Sequence, residues 1–256
     1  MEIVFVGAGR LATQFAKALH RKGHTIQAVY SRTMESAQAL CSMVGGVPTD
    51  DIASLPLYAN AYILAVKDSA LPTIIPQLVK DREQRPMFHT AGSVPMSVFG
   101  DVRHHGVIYP MQTFSKERDV DFSHIPVFIE ANNYLALHIA NMVATAVSDH
   151  VTELSSDDRR HLHLAAVFAN NFANHCFTLS AHLLEKHGLT FDVMLPLIEE
   201  TAAKVHAMHP RKAQTGPAVR YDEQVMEAQK ALMADEPLMQ QIYELMSKSI
   251  HKEADD

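Results

Sequence analysis

The chain is poor in the features that mark several common protein classes. Its 256 residues include two cysteines, Cys41 and Cys176. They lie far apart in apolar helical contexts, which argues against a disulfide framework and suits buried free thiols in a reducing compartment. There is no basic excess: 22 Lys and Arg stand against 29 Asp and Glu, for a net charge of -7. Such a chain has no field to gather nucleic acid or an anionic lipid surface. No apolar run approaches the ~20 residues that span a bilayer, and no signal peptide precedes the first strand-like segment. The expectation is a soluble cytoplasmic protein without nucleic-acid or membrane partners.

Internal repeats and low-complexity tracts are missing too. Histidine is plentiful, with sixteen, yet no metal-ligand constellation emerges. His161 and His163, two apart on an expected helix, point in different directions, and His206 and His209 lack a Cys, Asp or Glu ligand at useful spacing.

What is present is an ordinary folded composition, 47% hydrophobic and 20% charged, arranged in two grammars. In the first half, "EIVFV", "TIQAVY", "AYILAV", "MFHTA", "GVIY" and "VFIEA" read as strands. Most are continuously apolar, as in a parallel sheet buried on both faces. Helix-like segments intervene at Arg10 to Lys22, Met34 to Met43 and Ser69 to Val79. This rhythm predicts an α/β fold: a doubly wound Rossmann domain over 1–153, its sheet mostly parallel, then an all-α domain over 154–256 with one long helix.

That helix opens at "ELSSDDRR", where Ser155 or Ser156 can cap and Asp157 and Asp158 complement the dipole. It meets no breaker until Gly188, so about 32 residues would reach roughly 48 Å. Its middle is small or apolar around most of its circumference, which calls for cover on several sides. A homodimer through the helical half is the expectation. Further helices are expected at about Asp192 to Met208, Asp222 to Ala234 and Glu236 to Lys252.

The stretch "VGAGRLATQFA" ends the first strand and opens a helix. Gly7, Gly9 and Ala12 form G-x-G-x-x-A: one glycine for the tight turn, one for close approach to a pyrophosphate, and a small residue for helix–sheet packing. The helix N-terminus then faces the phosphates. The second strand ends in "VYSRT", where NAD-binding folds usually place a carboxylate for the ribose 2′-hydroxyl. Arg32 cannot accept a hydrogen bond but pairs with a 2′-phosphate, and Ser31, Thr33 and Arg10 could assist. NADP is therefore the expected cofactor. The set read as holding it is Gly7, Ala8, Gly9, Arg10, Leu11, Ser31, Arg32, Thr33, Val66, Thr90, Gly92 and Ser93.

Four stretches, "HTAGSVP", "YPMQTFS", "ELSSDDRRHLHLAAVFANNFANH" and "AQTGPAVRYD", together resemble a family of two-domain proteins. Its members join a Rossmann-like NADP-binding domain to a helical domain of unknown function 2520. The family is distantly similar to pyrroline-5-carboxylate reductase, 6-phosphogluconate dehydrogenase and the β-hydroxyacid dehydrogenases. The resemblance implies a helical domain that dimerises and an active site between domains. One departure matters. The β-hydroxyacid dehydrogenases carry a catalytic lysine four residues before an asparagine, whereas Ala166 and Val167 precede Asn170 and Asn171 here.

Hydride transfer to a carbonyl or imine needs the acceptor held over the nicotinamide and a proton source. Ligands of open α/β sheets sit beyond the strands' carboxyl ends, which brings "HTAGS" and "YPMQTF" near the nicotinamide. On the long helix, His163, Asn170, Asn171 and Asn174 form a polar streak, with His163 the candidate proton donor and Asn170 and Asn171 beside it. A hydrogen-bonded dimer interface would account for that streak equally well. Gln112, Thr215 and Arg220 are the candidate substrate contacts; Thr215 as a helix cap and an Arg220–Asp222 pair are the bland alternative.

These residues describe an NADP-dependent oxidoreductase acting on a small anionic metabolite. The alternative is a non-catalytic NADP(H) or metabolite sensor, which the missing lysine favours. Substituting Arg32→Glu should raise the dissociation constant for NADPH far more than that for NADH in a fluorescence titration; equal losses would remove the assignment.

Overall fold

The computed structural model describes residues 1–255. Two compact units divide the chain, Met1–Asn171 and Phe172–Asp256. The first runs β1 (Glu2–Val6), α1 (Arg10–Arg21), β2 (Thr25–Tyr30), α2 (Met34–Val44), β3 (Val47–Thr49), β4 (Ala61–Leu64), α3 (Leu71–Val79), β5 (Met87–His89), β6 (His105–Pro110), β7 (Val127–Ala131), α4 (Tyr134–Thr145), β8 (Val151–Glu153) and α5 (Ser156–Ala166). The second comprises α6 (Ala173–Glu185), α7 (Leu195–Ala207), α8 (Pro210–Ala213), α9 (Glu223–Ala231) and α10 (Pro237–Asp255). The 153/154 junction marks the end of the strands, while the compact units part later, after Asn171.

One eight-stranded sheet has the order β3-β2-β1-β4-β5-β6-β7-β8. Every neighbouring pair is parallel except β6 and β7. This is the doubly wound Rossmann arrangement. The continuous apolar strands follow from it. Ile3 and Phe5 of β1 enter a core built with α1, α2 and α4, while Val4 and Val6 enter another built with α3. Both faces are covered, so strict alternation has no role.

All six expected strands form. β3 and β8 are additional; each has three residues, Val-Pro-Thr and Val-Thr-Glu, without the apolar run that marks β5 at the same length. The helix α4 also adds to the reading, capped by Asn133, whose Oδ1 accepts from Ala136 N at 3.1 Å. The 3₁₀ turn Asp68–Ala70 precedes α3, where a single helix from Ser69 is expected.

The long helix differs in an instructive way. Ser155 caps α5, its Oγ accepting from Asp158 N at 3.1 Å, and Gly188, at φ 70°, ends the run as expected. Between α5 and α6, however, Val167–Phe172 forms a π-helical turn. It widens the helix and offsets the four-residue spacing that a pure α-helix would keep. The two thiols also part company: Cys41 is buried, but Cys176 is exposed, against the expectation that both are buried. The cause lies in α6, where no residue is buried.

The start of α5 is fixed to the sheet by a polar knot. Arg159, 1% exposed, directs Nη1 to Glu130 Oε2 on β7 at 2.5 Å and Nη2 to the Val94 carbonyl at 2.6 Å. Ser156 donates its backbone N–H and its Oγ to the two Glu130 oxygens, at 3.0 and 2.7 Å, and its Oγ accepts from Met96 N at 2.8 Å. Removing one charge of such a pair leaves the other buried and uncompensated. Glu130→Gln should therefore lower unfolding stability by about 3 kcal/mol in urea titration, the low end for a buried partner. A loss below about 1 kcal/mol, the scale of exposed pairs, would show that the knot is not what holds α5.

Candidate functional site

The register of the sheet assembles the site. Val6 pairs with Tyr30 and Leu64, Leu64 with His89, and His89 with Val107. The carboxyl ends of β2, β1, β4 and β5 are therefore level, and the turns that follow them meet. Gly7 N donates to the Tyr30 carbonyl at 2.7 Å. At φ 117° it occupies backbone space that favours glycine, and a Cβ there would overlap the Ala65 carbonyl. Gly9 differs: its φ is -78° and a Cβ would meet nothing within 4 Å. Its bare backbone keeps space open in front of α1. That helix starts with no side-chain cap and no acidic residue in its first turn, so its leading N–H groups are free for an anion.

A cleft of about 470 Å³ opens here, lined by Gly7, Ala8, Gly9, Ser31, Arg32 and Val66 of the expected set. Lys67 and Lys116 line it as well, and no carboxylate does. Three cations, an uncapped helix start and a side-chain-free glycine fit a dinucleotide bearing an additional phosphate. Lys67 adjoins Val66 and was within reach of sequence reasoning. Lys116 was not, because a tertiary strap brings it in: Gln14 Nε2 on α1 donates to the carbonyls of Ser115 at 2.8 Å and Lys116 at 3.3 Å. Lys17 and Arg21, also on α1, pair with Asp119.

Other expected cofactor residues lie off the lining. Arg10 is exposed at the start of α1, and Leu11 packs against the core. Thr33 turns its hydroxyl to Ser36 Oγ at 2.9 Å. Thr90 is buried, with its hydroxyl 3.4 Å from the Leu64 carbonyl, tying β5 to β4. Ser93 donates to the Asp68 carboxylate.

Gly92 is off that lining too; it packs against Tyr109 and His163, which line a second cleft. Of about 370 Å³, this cleft is lined by Tyr109, Gln112, Thr113, His163, Asn170 and Asn171, with Ala166 and Val167 among its apolar wall. The expected helix residues do converge, though through the wide π turn rather than an α-helical stripe; Asn174 lies beyond it in α6. Tyr109, on β6, is the residue the sequence reading missed. Its Oη sits 3.0 Å from His163 Nδ1, with the rings edge to face at 5.9 Å. Gly92 lies against both, and a Cβ on it would stand 2.8 Å from His163 Cγ and 2.9 Å from Tyr109 Cζ. Burial pushes the Tyr109 phenol above its ordinary pKa; the Arg159 charge opposes this and Asp68 adds to it.

His89 has a different part. Its Nδ1 accepts from Ala91 N at 3.1 Å, and its ring stacks on Phe99 at 5.6 Å. Burial, and then the Arg159 charge, pushes its pKa down to about 3. The neutral ring shapes the turn leaving β5.

Thr215 and Arg220 are residues of the second unit. The turn between them uses Gly216 at φ 109°. Asp222 caps α9, its Oδ1 accepting from Val225 N at 3.3 Å, so the cap is Asp222 rather than Thr215.

Residues 2–88 match the family described as NADP oxidoreductase coenzyme F420-dependent, and residues 125–250 match the domain of unknown function 2520. The crystal structure of BF3122, a provisionally assigned NADP oxidoreductase of Bacteroides fragilis, is 52% identical, covers 98% of each chain and superposes with a TM-score of 0.94. The chain belongs to this family. The chain thus carries both halves, as the four quoted stretches imply. An imine reductase from Myxococcus stipitatus, solved with NADP+, shares the fold at 14% identity and TM-score 0.70, over 98% of this chain and 93% of its own. Glutamyl-tRNA reductase of Legionella pneumophila is 29% identical over 108 residues, which are 40% of this chain. The match spans 25% of that reductase's length.

Proposed function

We propose that the protein is an NADP-dependent oxidoreductase that moves a hydride to or from a small anionic metabolite. One observation carries the reading: Arg32, Lys67 and Lys116 line the glycine-loop cleft without a single carboxylate among its lining residues. A carboxylate at the end of β2 would serve a ribose hydroxyl and repel a 2′-phosphate, whereas a guanidinium binds the phosphate. The family's description as NADP oxidoreductases supports the same choice.

In this reading the α1 N–H groups, with Gly7, Ala8 and Gly9, hold the pyrophosphate, and Ser31 and Arg32 hold the 2′-phosphate. The bound nicotinamide supplies or takes up the hydride. His163 provides the proton for the oxygen or nitrogen of the reacting carbon, while Gln112, Asn170 and Asn171 orient the group being reduced or oxidised. The second cleft has no Lys or Arg among its lining residues. A guanidinium and a hydroxyl are groups that receive anions, and on that chemistry alone Thr215 and Arg220 of the second unit stand as candidates for one.

The apolar Ala166 and Val167 on the cleft wall favour a second reading, a sensor that binds NADP(H) without chemistry. Titrating the full chain with NADPH and NADH, followed by fluorescence, tests the common premise: NADPH should bind at micromolar concentration or tighter, and more tightly than NADH. Binding of neither would end both readings. Oxidation of NADPH in the presence of keto acids, imines or aldehydes then separates enzyme from sensor.

We also propose a homodimer through the helical half. Among the described residues of the second unit, Ala218, Met233, Met239 and Ser247 are buried, while Leu197, Leu238 and Leu245 are each more than 60% exposed. A unit of this size cannot be stable with so small an interior of its own, and a second copy supplies the missing cover. Sedimentation analysis should give a dimer, and Leu197→Asp should weaken it. A wild-type monomer at every concentration would refute the assignment.

A further inference from the structure

The Tyr109–His163 contact has a direction that the oxidoreductase reading does not specify. A neutral imidazole donates from one nitrogen and accepts at the other. Nδ1 of His163 is paired with Tyr109 Oη at 3.0 Å, and this is the hydrogen bond that Oη makes among the described residues. Tyr109 is 8% exposed. If Nδ1 carried the hydrogen and donated it to Oη, the phenolic hydrogen would lie in a buried place without an acceptor. The charged neighbours do not offer one: Asp68 makes no hydrogen bond with Oη and takes its bond from Ser93, and Arg159 only donates and is tied to Glu130.

We propose that Tyr109 is a positioning residue: by donating its phenolic hydrogen to Nδ1, it holds His163 as the tautomer protonated at Nε2, leaving Nε2–H for the cleft lined by Gln112, Asn170 and Asn171. Gly92 is part of the device, because any Cβ there intrudes on both rings of the pair. The chain contains its own contrast. His161, two residues away, has Nδ1 at 2.9 Å from the Asp157 carbonyl, and His105 has Nδ1 at 2.6 Å from the Val102 carbonyl. A carbonyl can only accept, so neutral His161 and His105 carry hydrogen on Nδ1, the opposite tautomer.

The inference rests on His163 as proton donor. Nε2–H is the form in which a neutral histidine directs a donor outward while Nδ1 stays bonded to the protein.

The test needs no substrate. The full chain is labelled with ¹⁵N-histidine, and long-range ¹H–¹⁵N correlation is recorded at a pH where the rings are neutral; His163 is assigned by the signal lost in His163→Gln. In the wild type, His163 should show an unprotonated Nδ1 and a protonated Nε2, with His161 and His105 the reverse. Tyr109→Phe should convert His163 into a mixture of both tautomers and leave the other two unchanged. Gly92→Ala should do the same with the phenol still present. A protonated Nδ1 on wild-type His163, or an unaltered tautomer in Tyr109→Phe, would overturn the proposal. Failure of NADPH to bind the wild type would instead defeat the oxidoreductase reading and leave the tautomer measurement standing.

Discussion

The ion pair between Arg159 and Glu130 determines where the chemistry of the first unit can sit. Glu130 is on β7, where the sheet reverses direction, and Arg159 is in the first turns of α5. Because Ser156 and the Val94 carbonyl complete the same knot, the helix start, β7 and the loop after β5 are held as one piece. His163, one turn further along α5, is thereby delivered to Tyr109 on β6. A hydrophobic contact would bury area without fixing direction; the planar guanidinium, paired with a carboxylate and a carbonyl, fixes both.

From there the site divides by electrostatic character. The glycine-loop cleft gathers cations and helix N–H groups, a place for phosphates. The cleft at Tyr109 and His163 has hydroxyl, amide and imidazole groups over an alanine-rich wall and no Lys or Arg. Charge in one and neutral hydrogen-bonding capacity in the other are what separates holding a cofactor from steering a reacting group.

Much of this was legible in the residues. The six apolar strands, the glycine turn and Arg32 are local signals, and each speaks through its immediate neighbours. β3 and β8, Val-Pro-Thr and Val-Thr-Glu, offer no apolar run to read. The π turn escaped for another reason: an apolar run such as "VFANNF" is compatible with either winding, and packing decides between them. Tyr109 reads in sequence as one more apolar strand residue; only the arrival of His163 from 54 positions away gives its hydroxyl a partner. Lys116 was likewise invisible, since Gln14 brings it to the glycine loop across 102 positions. What local sequence does not encode is which distant groups meet.

The strap after β6 has a thermodynamic side. Met111, Gln112 and Thr113 border one cleft and Lys116 borders the other, along a single short stretch of backbone. Whatever ordering one occupant imposes on that stretch is work the other no longer has to do. Any such cooperation must be reciprocal, each occupant enhancing the other's affinity by the same factor. The two clefts therefore share one wall, and any linkage between their occupants would run through it.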